Sequence, residues 1–341
     1  MFTLARSYGA LMLDLEHRFY GSSRPTRDIS TTNLRYLIST QALEDLASFI
    51  RQQRQENPQL GAAKWVVFGG SYSGNLAAWA RLRYPDITDG AVASSAPVLA
   101  QANFPEYLEV VAESMQTFDP NCVPVVDAAM KEFEELLQSD SGVSTINELF
   151  RLCSSLNVSR ECDGAGLTSL VISGFSRAVQ YNDVMVGIYS TVQEYCAALR
   201  MRQWLWQTCT EFGYYQTTDS ANQPFDHWRT LPYYTDMYTA ERVEEGVRKA
   251  NLLYGGRTPN VTNVAFVNGG LDPWHALGVL DDISESSPPI AIEYDTAGHP
   301  TADGSPRQDR AAGRPVDQLG PKQQWKKVLI RIKPETKRLL S

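Results

Sequence analysis

VVFGGSYSGNLAAWARLRYP, residues 66–85, sets a short apolar run against a glycine pair, a serine, and a helical stretch that Pro85 closes. With Lys64 and Trp65 ahead of it, the run predicts a buried strand that turns sharply into a helix at Ser71. The flanking segments fit the same pattern. GALMLDL (9–15) reads as a buried strand, and TTNLRYLISTQALEDLASFIRQQRQENPQ (31–59) carries a helical stripe at Leu43, Leu46, Phe49 and Ile50. GAVASSAPV (90–98) is a further small-residue strand. Strand alternating with helix is the mark of crossover units on a parallel sheet, so residues 1–112 read as the first part of an α/β core.

Beyond that point the character changes. VVDAAMKEFEELLQ (125–138) and AERVEEGVRKANLLYG (240–255) have helical spacing, and strand-like alternation is scarce, so residues 113–250 read as a helical insertion. NVAFVNGG (263–270) and PIAIEYD (289–295) return to apolar runs of the parallel-strand kind, which makes 251–341 the second part of the core. Residues 301–320 are expected to loop. From Pro321 the chain carries seven Lys or Arg against one Glu and reads as a basic tail, a solvated terminal helix.

A chain of 341 residues, 43% of them apolar, can bury a sizeable core. Its net charge of −8 offers no basic surface for a phosphate backbone, which argues against nucleic acid as a partner. No stretch approaches the roughly 20 apolar residues needed to cross a bilayer. The five cysteines, Cys122, Cys153, Cys162, Cys196 and Cys209, all fall in the insertion without a C-x-x-C pair, a distribution that favours disulfides over metal or redox chemistry. Cys122 and Cys209 bracket the segment as bridge candidates, with Cys153 and Cys196 between them, and the odd count leaves one thiol over. The sequons Asn157-Val-Ser and Asn260-Val-Thr are glycosylation candidates. Together these features point to a lysosomal or endosomal lumen, or to secretion. The N-terminus lacks the apolar core of a signal peptide and passes quickly into a strand, so the chain reads as N-terminally shortened.

Gly69-Gly70-Ser71-Tyr72-Ser73-Gly74 is a G-x-S-x-G-like motif in the strand-to-helix setting that makes such a motif believable. Small neighbours let the chain turn and the substrate approach, a need that Gly69 and Gly70 serve, while Ser73 stands at the second motif glycine. The turn aims the backbone N–H of Tyr72 and the positive end of the helix at the place where an oxyanion would form. The plainer alternative is a Gly/Ser turn with no chemistry.

A serine hydroxyl needs a base, and the base needs an acid to orient it. Of four histidines, His17 reads as structural and His227, beside aromatics, as packed. His275 lies too close to Asp272 to be its usual partner. His299, in the glycine-containing loop after the last core strand, is the candidate base. Asp272, just past NVAFVNGG, is the candidate acid, with an ordinary Asp-Pro turn as the alternative. Ser71, Asp272 and His299, each at a strand end, stand in the chain order of an α/β-hydrolase triad.

The blocks EHRFYGSSRP, LRYLISTQALEDLASFI, GGSYSGNLAAWARLRYP, ASSAPV, CTEFGYYQT and NGGLDPWHALG resemble the S28 family of serine carboxypeptidases, in wording nearest its thymus-specific branch. The resemblance runs from about residue 8 to 299. It implies an α/β-hydrolase core capped by a disulfide-linked helical insertion, and cleavage of peptides near a chain end, often beside proline. It assigns Ser71 as nucleophile, Asp272 as acid and His299 as base, with no cofactor. A peptide substrate is the implied partner, and a homodimer is left open. It also implies strands ahead of this chain's start, including a glycine-rich segment with a second oxyanion donor. The loop AGHPTADGSPRQDRAAGRP departs from the family's Ala-His-Cys context. Two alternatives stand beside this reading: an impaired homologue that keeps at most a peptide-binding cleft, and an esterase or lipase using the same triad.

Overall fold

The computed structural model describes residues 1–150, 152, 156–157, 161–181, 201–225, 227–235, 239–292 and 327–333. The strands in chain order are β1 (Leu11–Glu16), β2 (Lys64–Gly70), β3 (Gly90–Ser94), β4 (Gln101–Asn103), β5 (Gly213–Tyr215), β6 (Val264–Gly269), β7 (Pro289–Ile292) and β8 (Lys327–Lys333). Six of them form one sheet in the order β1-β8-β2-β3-β6-β7, with every neighbouring pair parallel. β4 and β5 pair separately, also parallel. This is the mixed helix and parallel-sheet architecture of the α/β-hydrolase type.

Ahead of β2 come α1 (Phe2–Tyr8), α2 (Thr31–Leu34) and α3 (Ser39–Glu56). Gly9 is the left-handed cap of α1, φ 57, so the strand expected from Gly9 starts two residues later. α3 buries Leu43, Leu46 and Ile50 of the expected stripe, with Ala47 beside them, and leaves Phe49 half-buried. α4 (Tyr72–Arg83) is different: every residue from Tyr72 to Ala80 is buried. Its small Ala77, Ala78 and Ala80 let neighbouring elements close around it, and Trp79 stacks on Tyr254 at 3.9 Å between ring centres. Tyr84, the residue before Pro85, has left helical geometry at φ −130, as the proline ring requires.

The helical segment holds α5 (Glu106–Phe118), α6 (Cys122–Leu136), α7 (Asp140–Phe150), α8 (Glu161–Tyr181), α9 (Met201–Gln207), α10 (Leu231–Thr235) and α11 (Ala240–Tyr254). α5 runs through position 112, so the change in composition there falls inside one helix. Val126, Met130, Ile172, Phe212 and Val243 belong to the same buried apolar cluster as Trp65, Val67 and Phe266 of the sheet. The helices thus share a core with the strands, and a smaller cluster of Phe133, Leu137, Ile146 and Leu167 packs α6, α7 and α8 together.

Two expectations are corrected. The basic tail does not continue as a solvated helix: residues 327–333 form β8, which lies in register between β1 and β2, with Leu329 opposite both Met12 and Val66. Val328 and Ile330 in its apolar run are β-branched residues that favour a strand, which outweighs the flanking lysines. Cys122 and Cys209 are free thiols, so no bridge joins them. Cys209 is buried in the turn of π-helix that follows α9, where it accepts from the Tyr215 hydroxyl at 3.2 Å, whereas Cys122 opens α6 part-exposed. Cys153 and Cys196 lie outside the described residues. Among those described, no helix is long and apolar enough to cross a membrane.

Candidate active site

Ser71 joins β2 to α4 with φ 56 and ψ −134, a region that costs a residue with a Cβ about 1–3 kcal/mol. Hydrogen bonds on both sides hold it there. Its N–H donates to the Ser94 carbonyl at 2.9 Å, extending the β2–β3 ladder, and its carbonyl accepts from the N–H groups of Gly74 at 2.7 Å and Asn75 at 3.2 Å, opening α4. The side chain is left exposed at the head of an otherwise buried helix. A strained, exposed serine in front of a buried helix is the arrangement a nucleophile needs.

The sharpness of the turn depends on two glycines, though not the pair expected. A Cβ on Gly69 would lie 1.8 Å from the Ser73 carbonyl oxygen, and one on Gly74 would lie 2.9 Å from the Ala96 Cβ. At Gly70 the nearest atom would be 3.9 Å away, so that position has room for a side chain. Ser73, at the second motif glycine, is buried.

Tyr72 is the first residue of α4, and first-turn N–H groups have no acceptor within their own helix. That N–H therefore sits beside the Ser71 hydroxyl at the positive end of the helix. The ring of Tyr72 is buried among His17, Trp204 and Phe212, at centroid distances of 5.6, 5.8 and 5.5 Å. Its hydroxyl meets His17 Nε2 at 3.2 Å and accepts from Gln207 Nε2 at 2.9 Å. Burial pushes the phenol well above its usual pKa and keeps it neutral.

Asp272 lies just beyond β6 and opens a short 3₁₀ turn, Pro273–Leu277. Its N–H donates to the Gly269 carbonyl at 3.1 Å, and its Oδ1 accepts from the Trp274 N–H at 3.1 Å. Among the described residues nothing else bonds that carboxylate, so Oδ2 remains open to a further donor. His275 Nδ1 lies 2.7 Å from the Asp272 main-chain carbonyl instead, consistent with its exclusion as the acid's partner. The registers Gly70–Ser94 and Ser94–Val267 place Ser71 and Asp272 at the same carboxyl edge, on strands separated only by β3. Ligands gather at that edge in parallel sheets. His299 lies outside the described residues. His227 is exposed, as are Asn157 and Asn260 of the two sequons.

His17, set aside from the sequence as structural, reaches this neighbourhood. It follows β1 at the carboxyl edge, is buried, and touches Tyr72, the residue after Ser71. Burial, outweighing a bond to the Arg18 carbonyl, pulls its pKa down to about 4. Arg18 fixes the loop by pairing with Asp45 of α3 through Nε at 2.6 Å and Nη2 at 2.7 Å. Glu211 is a half-buried carboxylate nearby. It accepts from the N–H and hydroxyl of Ser39 at the start of α3, and burial raises its pKa.

Comparison with known proteins gives the family. The family model for serine carboxypeptidase S28 matches residues 1–201 and 189–310. A Caenorhabditis elegans protein named as a serine protease is 36% identical over 85% of this chain and 69% of its own length. The thymus-specific serine protease of Mus musculus is 32% identical over 85% of this chain and 69% of its own. The lysosomal Pro-X carboxypeptidase of the same species is 27% identical over 88% and 72%. Matched over most of its length and carrying an exposed serine at a strained strand-to-helix turn, the chain belongs to the serine carboxypeptidase S28 family of serine-type peptidases.

Proposed function

We propose that the protein is an exopeptidase that hydrolyses peptide bonds near chain ends, often beside proline, by acyl transfer through Ser71. The observation that carries this reading is the φ 56, ψ −134 conformation of an exposed serine at the mouth of a buried helix. Ser71 Oγ attacks the scissile carbonyl as His299 takes its proton. The backbone N–H of Tyr72 stabilises the oxyanion, and His299 returns the proton to the leaving amine. Water then hydrolyses the acyl-enzyme by the same route. Asp272 orients His299 through Oδ2, the oxygen that Trp274 leaves open.

The helices of residues 113–250 roof the cleft and restrict it to chain ends. Support comes from Trp274, two residues beyond Asp272, whose ring packs edge-on against Tyr214 of that segment as well as on Phe104 and Tyr107. A lysosomal or secreted location follows the named relatives, and exposed Asn157 and Asn260 suit glycan attachment.

A fluorophosphonate probe tests the reading. The folded wild type should take up one probe per chain on the peptide holding Ser71, and Ser71→Ala should take up none. Equal labelling of the two, or no labelling of a cooperatively folded wild type, sinks it.

A further inference from the structure

Behind the proposed nucleophile runs a chain of four buried or half-buried polar side chains drawn from three separate parts of the sequence. Tyr20 donates its hydroxyl proton to Gln207 Oε1 at 2.7 Å, and Gln207 Nε2 donates to the Tyr72 hydroxyl at 2.9 Å. Tyr72 lies 3.2 Å from His17 Nε2, and His17 Nδ1 lies 2.7 Å from the Arg18 carbonyl.

The proton positions follow from the ends of the chain. A carbonyl only accepts, so Nδ1 of His17 carries hydrogen and Nε2 of the neutral ring is bare. Nε2 must then accept from the Tyr72 hydroxyl. That hydroxyl gives its single proton to His17 and takes one from Gln207, whose amide oxygen in turn takes the proton of Tyr20. Reversing any one bond sets two donors or two acceptors face to face in a site closed to water, so the direction is locked.

The locked element is the side chain of the residue whose backbone N–H faces the oxyanion. Phenylalanine at position 72 would fill almost the same volume without a hydroxyl to satisfy, yet the site holds a phenol with one bond on each side. We infer that His17 and Gln207 are positioning residues that fix the Tyr72 ring and, through it, the Tyr72 N–H beside Ser71. They touch no substrate. The inference rests on the reading of Ser71 as nucleophile and extends it to how the donor is held.

The test is the saturation kinetics of fluorophosphonate labelling, because the phosphoryl oxygen of the probe seeks the same donor as a peptide oxyanion. Tyr72→Phe and His17→Phe should each lower kinact about tenfold, a fraction of the roughly hundredfold loss expected when an oxyanion donor is removed outright, with KI within about twofold. The double variant should fall no further than either single one, since both cut the same link. His17→Gln sets an amide oxygen in place of Nε2 and should recover most of the rate, a rescue that a purely packing role would not show.

Cooperative thermal melting certifies each variant. If His17→Phe does not fold, Tyr72→Phe and Gln207→Met carry the same comparison. Wild-type kinact in folded Tyr72→Phe overturns the inference alone, as do losses that multiply in the double variant. A folded wild type that takes up no probe overturns this inference together with the nucleophile reading.

Discussion

Gly69 and Gly70 are adjacent in the chain and alike in sequence terms, yet alanine should be costly at the first and nearly neutral at the second. At position 69 the new methyl would lie 1.8 Å from the Ser73 carbonyl oxygen, 2.2 Å from its carbon and 2.6 Å from the Gly74 nitrogen. All three are backbone atoms of the first turn of α4, so no rotamer change can relieve the contact. To restore van der Waals distance the start of the helix must retreat by roughly 1.5 Å, and a displacement of even about 1 Å at a reacting centre costs on the order of 10²-fold in rate. The same retreat strains a helix buried on all sides, adding about 3 kcal/mol, at the upper end of overpacking penalties. At position 70 the nearest atom is 3.9 Å away, an ordinary contact, and Gly70→Ala should lie within about 1 kcal/mol of wild type. Urea unfolding followed by tryptophan fluorescence gives the stabilities, and the fluorophosphonate labelling rate gives the chemistry. Equal stability and equal labelling of the two variants would refute the derivation of the turn from backbone crowding.

Buried His17 has its pKa pulled from 6.5 to about 4, a folded-state value below the unfolded one. Its contribution to stability, about 3 kcal/mol, is therefore full above pH 6.5 and is lost as the pH falls through about 4. Unfolding measured across that window should show the gap between wild type and His17→Gln shrinking on acidification, and a pH-independent gap would contradict the burial argument. Glu211 has the opposite sign: its pKa is raised above 4.5, so the stability linked to its protonated form declines as the pH rises from there. Glu211→Gln should gain on wild type over the same rise, and a loss with rising pH would show that the start of α3 favours the carboxylate more than burial disfavours it. Alkylation with iodoacetamide followed by peptide mapping should modify part-exposed Cys122 in the native protein and reach Cys209 only on unfolding. A chain ending before Lys327 leaves β1 and β2 about 10 Å apart, two strand spacings, and should lose its cooperative melt. An unchanged melt would mean that β8 adds nothing to the sheet.

The strands and the turn at Ser71 are legible because each rests on local chemistry. Buried parallel strands need unbroken apolar runs, and a strand that reverses into a helix needs glycine, so residues 64–85 carry their conformation in their own spelling. What was not legible depends on partners far away in the chain. Lys327–Lys333 looked like a solvated tail because its charges were counted without the two strands that enclose it. Gly69 and Gly70 could not be told apart because the distinguishing atom belongs to Ser73 after the turn has formed. His17 looked inert beside Glu16 and Arg18, and no periodicity links it to Gln207, which meets the opposite side of the same phenol. The Cys122–Cys209 bridge failed for a related reason: bracketing one segment does not bring two sulfurs together, and Cys209 accepts from the Tyr215 hydroxyl.

The segment from α9 to β5 alters how the helical region is understood. Gln207 bonds the Tyr72 hydroxyl, Phe212 and Trp204 flank its ring, and Tyr214 bonds Asn75 one turn further along α4 at 3.3 Å. Tyr214 also packs edge-on against Trp274, two residues beyond Asp272, at 5.6 Å. One short stretch thus touches the backs of both the Ser71 turn and the Asp272 loop. A hinged cap could shift without disturbing the chemistry; this stretch cannot, because its side chains supply part of the packing that holds the Tyr72 and Trp274 rings. Substitutions in 204–214 should therefore move turnover together with substrate preference. A variant there that altered preference while leaving turnover untouched would show that the catalytic edge is held by the sheet alone.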